Sequence, residues 1–113
     1  VWDLALAHVK AVENIDNAFK KSATKTNYLV LNLGTGKDTT VREFVEAFEK
    51  VCGKKIEKMD SKPRPGDIAG QYAKIDLAKE LIGWQPEKTI EEGIQDTLTW
   101  WGKRNSVIDY NKG

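Results

Sequence analysis

Apolar positions at the start of the chain fall three and four residues apart. Leu4, Ala7, Ala11, Ile15 and Phe19, with His8 among them, line one face of a helix predicted over about Leu4 to Lys20, and Asp3 stands where a cap belongs. After a polar loop from Lys21 to Thr26, the short apolar run Asn27 to Asn32 predicts a strand that ends at Gly34-Thr35-Gly36. Thr40 and Glu43 have the spacing of a capping box, in which hydroxyl and carboxylate satisfy orphan N–H groups at a helix start. The helix they open carries an apolar face of Val41, Phe44, Val45, Phe48, Val51 and Cys52, and Gly53 sits at the position of a left-handed C-terminal cap.

Lys55 to Met59 alternates charged and apolar residues, as a strand with one wet face does. The stretch Ser61-Lys62-Pro63-Arg64-Pro65-Gly66-Asp67 excludes regular structure, because each proline fixes its own φ and biases its predecessor towards extended backbone. Arg64 is therefore held on a stiff loop. A short strand is predicted within Ile68 to Lys74, ending near Tyr72, and Asp76 then caps a brief helix over Leu77 to Ile82. Gly83 stops that helix, Trp84 is placed to pack back on it, and Pro86 blocks continuation. Thr89 and Glu92 repeat the capping-box spacing and start a last helix, with inner face Ile90, Ile94, Leu98 and Trp101, that runs to about Arg104. Residues 105–113 show little periodicity and read as a loose tail, which leaves 1–104 as one domain. The order of elements is that of an α/β unit of α+β character, helices with small β-sheets.

Composition narrows the function. The 113 residues include 18 Lys+Arg against 17 Asp+Glu, a net charge of +1, so the basic excess that drives nucleic-acid binding by counterion release is missing. No apolar run approaches a membrane span, and the N-terminus lacks the order of a signal peptide. The single cysteine, Cys52, and the absence of a Cys/His cluster exclude a disulfide scaffold and a structural metal site, and point to the cytoplasm. Val1 stands where a complete reading frame would have methionine, and a helical pattern begins at once, so the chain reads as a piece of a longer one.

Little in the sequence can do chemistry unaided. Gly34-Thr35-Gly36 invites comparison with a phosphate loop, but a complete glycine fingerprint and a Walker lysine are both missing, and a plain strand-to-helix turn is the simpler reading. His8 lies on an apolar face and reads as a hydrogen-bonded core residue. Cys52 is near a helix C-terminus, which disfavours a thiolate. No Ser/His/Asp set, carboxylate pair or metal-ligand spacing can be assembled, so the chain carries no catalytic constellation of its own. Arg64-Pro65-Gly66-Asp67 is the better candidate: a guanidinium offers bidentate hydrogen bonds to phosphate, and a carboxylate three residues on accepts from paired sugar hydroxyls. The same spacing also suits an Arg–Asp ion pair that merely closes a rigid turn.

Four motifs in order carry a family likeness. Val1-Trp2-Asp3-Leu4-Ala5-Leu6-Ala7-His8-Val9, Leu31-Asn32-Leu33-Gly34-Thr35-Gly36, Arg64-Pro65-Gly66-Asp67-Ile68-Ala69 and Leu81-Ile82-Gly83-Trp84 together resemble the C-terminal third of the UDP-glucose 4-epimerase family, which are extended short-chain dehydrogenases/reductases. The resemblance implies a substrate-binding lobe that works beside an N-terminal Rossmann domain absent from this chain. In that family NAD is bound by the Rossmann domain, and the tyrosine of a Tyr-x-x-x-Lys motif takes the 4-hydroxyl proton as hydride moves to the cofactor. Neither that motif nor a cofactor-binding site is found in these 113 residues, so the piece alone is expected to be inactive and to bind no cofactor. By the same resemblance Arg64 contacts the diphosphate, Asp67 the uridine ribose hydroxyls, and Gln71 the sugar pocket, with UDP-glucose and UDP-galactose as the implied substrates.

Two other readings share these residues. One is a free-standing binding or interaction module with this fold, and the other is the same lobe of a different nucleotide-sugar epimerase, dehydratase or decarboxylase. In each case an apolar stripe such as Val1, Trp2 and Leu6 is expected to face a missing domain and, uncovered, to favour self-association.

Overall fold

A computed structural model describes residues 1–22, 24–67 and 70–108. The chain forms four helices: α1 Trp2–Lys21, α2 Val41–Cys52, α3 Asp76–Ile82 and α4 Ile90–Val107. It divides into two compact units, one made of Val1–Thr39 and Ser61–Glu87, the other of Thr40–Asp60 and the chain from Lys88 on.

The first unit is built on α1 and α3. Ala7 and Ala18 of α1 and Ala78 of α3 are buried, and with Leu81, Ile82 and Trp84 they form its core. Small side chains at the contact let the two helices approach closely, since interaxial distance depends on the side chains between them. Gly83 ends α3 in the left-handed region at φ 66°, and the Gly83 and Trp84 N–H groups donate to the carbonyls of Lys79 and Ala78. That cap turns Trp84 back onto the helix, where its side chain is 2% exposed. Burying an indole of this size is worth about 4–6 kcal/mol as an upper bound. Its Nε1–H donates to the Asp3 carbonyl at 2.9 Å, and the Asp3 carboxylate accepts from the Glu87 N–H at 3.0 Å. Leu6, Ala11, Leu29, Leu31, Leu33 and Ile75 pack round this core.

Two expectations for this unit change. Asp3 and Asp76 were placed as caps by spacing, yet the N-cap positions belong to Val1 and Ile75, neither of which makes a side-chain cap hydrogen bond. Both aspartates lie inside the first turn, where their charge complements the helix dipole, and Asp76 pairs with Lys74 at 3.5 Å. The buried face of α1 also runs through Ala7 and Ala18, leaving Leu4, Val9, Val12 and Ile15 half or more exposed. His8 is exposed as well, its Nδ1 2.8 Å from the Leu4 carbonyl, so it is a surface residue bonded to its own helix. Close contact with α3 selects the alanine face over the bulkier one.

The second unit pairs α2 with α4. Thr40–Glu43 and Thr89–Glu92 both form complete capping boxes: hydroxyl oxygens accept from the Glu43 and Glu92 N–H groups, and the carboxylates accept from the Thr40 and Thr89 N–H groups. Gly53 closes α2 at φ 69°. Ile94 is buried, with Val45, Phe48, Leu98 and Ile90 partly so, and Lys50 pairs with Glu91 at 3.7 Å. Trp101, expected on the inner face, is 63% exposed. Arg104 lays its guanidinium over the ring, 3.4 Å from the centroid.

The small sheets do not form: among the described residues there is no strand. Runs 27–32 and 55–59 have strand-like patterns, but a strand also needs a neighbour to complete its ladder, and none pairs with them among the described residues. The expected strand within 68–74 lies partly outside the described residues, as do Ile68 and Ala69 of the third family motif and residues 109–113 of the tail. Helix α4 runs to Val107, three residues past the expected end.

The turn Gly34-Thr35-Gly36 has a packing explanation. A Cβ at Gly34 would lie 2.8 Å from the Ala73 Cβ, and one at Gly36, whose φ is +71°, would lie 3.1 Å from Ile75 Cδ1. Gly34→Ala is expected to destabilise the chain by about 1–3 kcal/mol through overpacking. Gly93→Ala, in the open interior of α4, is expected to stabilise it by up to about 1 kcal/mol. Urea denaturation of both variants followed by circular dichroism checks the opposite signs.

Candidate functional site

The turn that carries Arg64 is organised by its backbone. Pro65 supplies the fixed φ of a second turn position, and Gly66, at φ 91°, the positive φ of a third, which is the pattern of a type II turn. The Asp67 N–H donates to the Arg64 carbonyl at 3.0 Å, and the Asp67 carboxylate accepts from the Arg64 N–H at 2.7 Å through Oδ2. The Arg64 main chain is thus bound to Asp67 twice, once to its N–H and once to its carboxylate. The ion pair that the spacing allowed does not form: among the described residues the Arg64 guanidinium has no hydrogen bond or ion pair, and its residue is exposed.

This arrangement separates two charged groups while fixing both. The guanidinium projects from a rigid turn with its donors free for a planar anion. The Asp67 Oδ1 atom remains available to accept from hydroxyls, because an ionised carboxylate has about four acceptor positions. Gln71 is exposed and lies beyond Ile68 and Ala69, so its placement relative to Asp67 is outside the described geometry. Two grooves, about 480 Å3 bordered by Lys21, Tyr28 and Glu80 and about 740 Å3 bordered by Arg42, Ile56 and Asp60, are lined by other residues.

The space above Gly34 is taken by Ala73 and that above Gly36 by Ile75, so the glycine pair offers no open cradle for a pyrophosphate. Among the described residues no group of three or more His, Cys, Asp and Glu is placed to hold a metal ion, and no helix is long and apolar enough to cross a membrane.

One organising residue escaped the sequence reading. Glu49, on α2, is 8% exposed. Its Oε1 accepts from the Ile56 N–H at 2.7 Å and its Oε2 from Lys58 Nζ at 2.9 Å, with Lys55 at 3.8 Å. The signal was a carboxylate within the apolar face Val45, Phe48, Cys52. This clamp also explains why 55–59 is not a strand edge waiting for a sheet: its Ile56 donor is already taken by a side chain. Backbone donation from Ile56, then the Lys58 hydrogen bond, hold the Glu49 carboxyl below the ordinary value of 4.5.

No protein-family model matches the chain. UDP-glucose 4-epimerase of Caenorhabditis elegans is 40% identical over 103 residues, 91% of this chain and 28% of that relative. The Bacillus subtilis enzyme of the same name is 41% identical over 100 residues, 88% of this chain and 27% of the relative. The crystal structure of UDP-glucose 4-epimerase from Bifidobacterium longum in complex with NAD+ and UDP superposes with a TM-score of 0.73 at 34% identity, covering 94% of this chain and 29% of that one. This chain is similar to the C-terminal part of UDP-glucose 4-epimerases. The likeness in fold holds although the described residues are helical and without strands. The chain spans less than a third of the length of these relatives.

The depressed carboxylates predict an acid response. Thr40 and Thr89, through backbone and then side-chain hydrogen bonds, lower the carboxyls of Glu43 and Glu92 below 4.5 as well. The unfolded chain then binds more protons than the folded one just below that pH, so stability is fully present above it and falls as the folded groups protonate. All three residues belong to the second unit. Amide signals of α2 and α4 are expected to be lost on acidification before those of α1 and α3, and Glu49→Gln is expected to reduce that pH dependence.

Proposed function

We propose that this chain is the UDP-sugar-contacting C-terminal lobe, residues 1–104, of an NAD-dependent enzyme that interconverts UDP-glucose and UDP-galactose by 4-epimerisation. The observation that carries the reading is the Arg64–Asp67 turn: a free guanidinium and a half-engaged carboxylate on a locked loop, within a sequence 40% identical to such enzymes over nearly its whole length. Arg64 binds the diphosphate, where a bidentate cation neutralises charge that would otherwise resist burial. Asp67 accepts from the ribose hydroxyls, and Gln71 borders the hexose.

In the intact enzyme NAD supplies the hydride chemistry, and the N-terminal Rossmann domain holds it. The role of this chain is to bind and orient the nucleotide end of the substrate, so that binding energy far from the reacting carbon positions the sugar. The exposed side of α1, with Trp2, Leu4, Val9, Val12 and Ile15 half or more open, is the apolar surface that a further domain would cover. Leu6, expected in that stripe, packs against the first unit's core instead. We place the enzyme in the cytoplasm, consistent with a lone free cysteine.

An NMR titration with UDP tests the reading. The amides of Arg64, Gly66 and Asp67 are expected to shift, and Arg64→Ala is expected to weaken the response at least about tenfold, the loss of one charge-assisted contact. Unchanged spectra at millimolar UDP would sink the assignment of these residues. Assay of the intact enzyme then decides the substrate: appearance of UDP-glucose from UDP-galactose supports the proposal, and a dehydrated or decarboxylated product overturns it.

A further inference from the structure

The prolines beside Arg64 stiffen its loop but leave one torsion loose. Pro65 biases Arg64 towards extended backbone, and that bias still allows the φ of Arg64 a broad range. This torsion relates the Arg64 N–H to its Cβ, and the N–H is the group that Oδ2 of Asp67 grips at 2.7 Å. Among the described residues the guanidinium has no anchor of its own. The direction in which the side chain leaves the loop is therefore set by the backbone, and the Asp67 carboxylate takes up the freedom that the prolines leave.

We propose that Asp67 is a positioning residue for Arg64: apart from any contact of its own with the ligand, its carboxylate holds Arg64 in the orientation in which the guanidinium receives a diphosphate. This rests on the reading of Arg64 as the diphosphate contact. Gly66 serves the same geometry. Its φ of 91° brings Asp67 round to residue 64, and an added Cβ there would meet nothing within 4 Å, so the demand for glycine is conformational.

A diphosphate without a ribose separates this role from that of a sugar-hydroxyl acceptor, because the two predict opposite signs. For a residue that only accepts from the ribose, loss of the carboxylate removes a negative charge near an anion and strengthens pyrophosphate binding. For a residue that positions Arg64, the same loss weakens it.

Calorimetric Kd values of inorganic pyrophosphate for the intact enzyme, saturated with NAD, test this. Arg64→Ala should weaken binding at least about tenfold and Asp67→Ala about three- to tenfold. Asp67→Asn should stay within about twofold of the unmodified enzyme, since its amide oxygen still accepts from the Arg64 N–H. Gly66→Ala, which keeps both side chains but opposes the positive φ, should behave as Asp67→Ala does. Unchanged or tighter binding by Asp67→Ala, with Arg64→Ala weakened, overturns the positioning role and leaves the reading of Arg64 standing. An Asp67→Asn variant as weak as Asp67→Ala also overturns it, since charge and not the acceptor would then be responsible. Should Asp67→Ala fail to fold, Gly66→Ala decides, and undiminished affinity there overturns the proposal. Full affinity in Arg64→Ala, or no binding to the unmodified enzyme at millimolar pyrophosphate, overturns the reading of Arg64 and the proposal with it.

Discussion

The distance between α1 and α3 governs the first unit, and three alanines set it. Ala7, Ala18 and Ala78 leave room for the backbones to come together, and Trp84 then closes the end of the contact with its ring in the core and its N–H on the Asp3 carbonyl. An indole is useful here because it brings large apolar area and one directional donor in the same side chain. The left-handed Gly83 makes that placement possible by reversing the chain within two residues. Gly34 against Ala73 repeats the theme, close approach obtained by leaving atoms out.

The second unit solves the same problem of cohesion with polar atoms. Its helices start at reciprocal Thr–Glu caps, and its irregular segment 55–58 is tied to α2 through the carboxylate of Glu49. A nearly buried carboxylate is tolerable because both oxygens are engaged, one by a backbone donor and one by an ammonium group. This economy of apolar contact leaves Val41 and Trp101 largely open and Phe44 about half so.

What could be read from the sequence was local. Capping boxes, glycine caps and the return of Trp84 depend on residues within a few positions of one another, and each appears where its spacing placed it. Interactions set by distant partners were less legible. The face of α1 that is buried depends on which side chains let α3 come near, so periodicity identified the helix and misjudged its rotation. Runs with the alternation of strands remain unladdered because a sheet is a property of at least two segments. Glu49 was hidden for a related reason: its partner, Ile56, offers a backbone group, which no residue pattern advertises. At the candidate site, the rigidity of the Arg64 turn was visible in its prolines and glycine, whereas the direction of the Asp67 carboxylate, towards main chain and away from the guanidinium, was not.

That direction gives the two ends of the turn different structural duties. Because the loop is closed by the main chain of Arg64 and by both the main chain and the side chain of Asp67, the side chain at 64 can change without disturbing the turn that presents it, while the side chain at 67 is itself part of that turn. The conservative exchange of Asp67 for asparagine, which keeps an acceptor oxygen for the Arg64 N–H, preserves the scaffold while altering its charge.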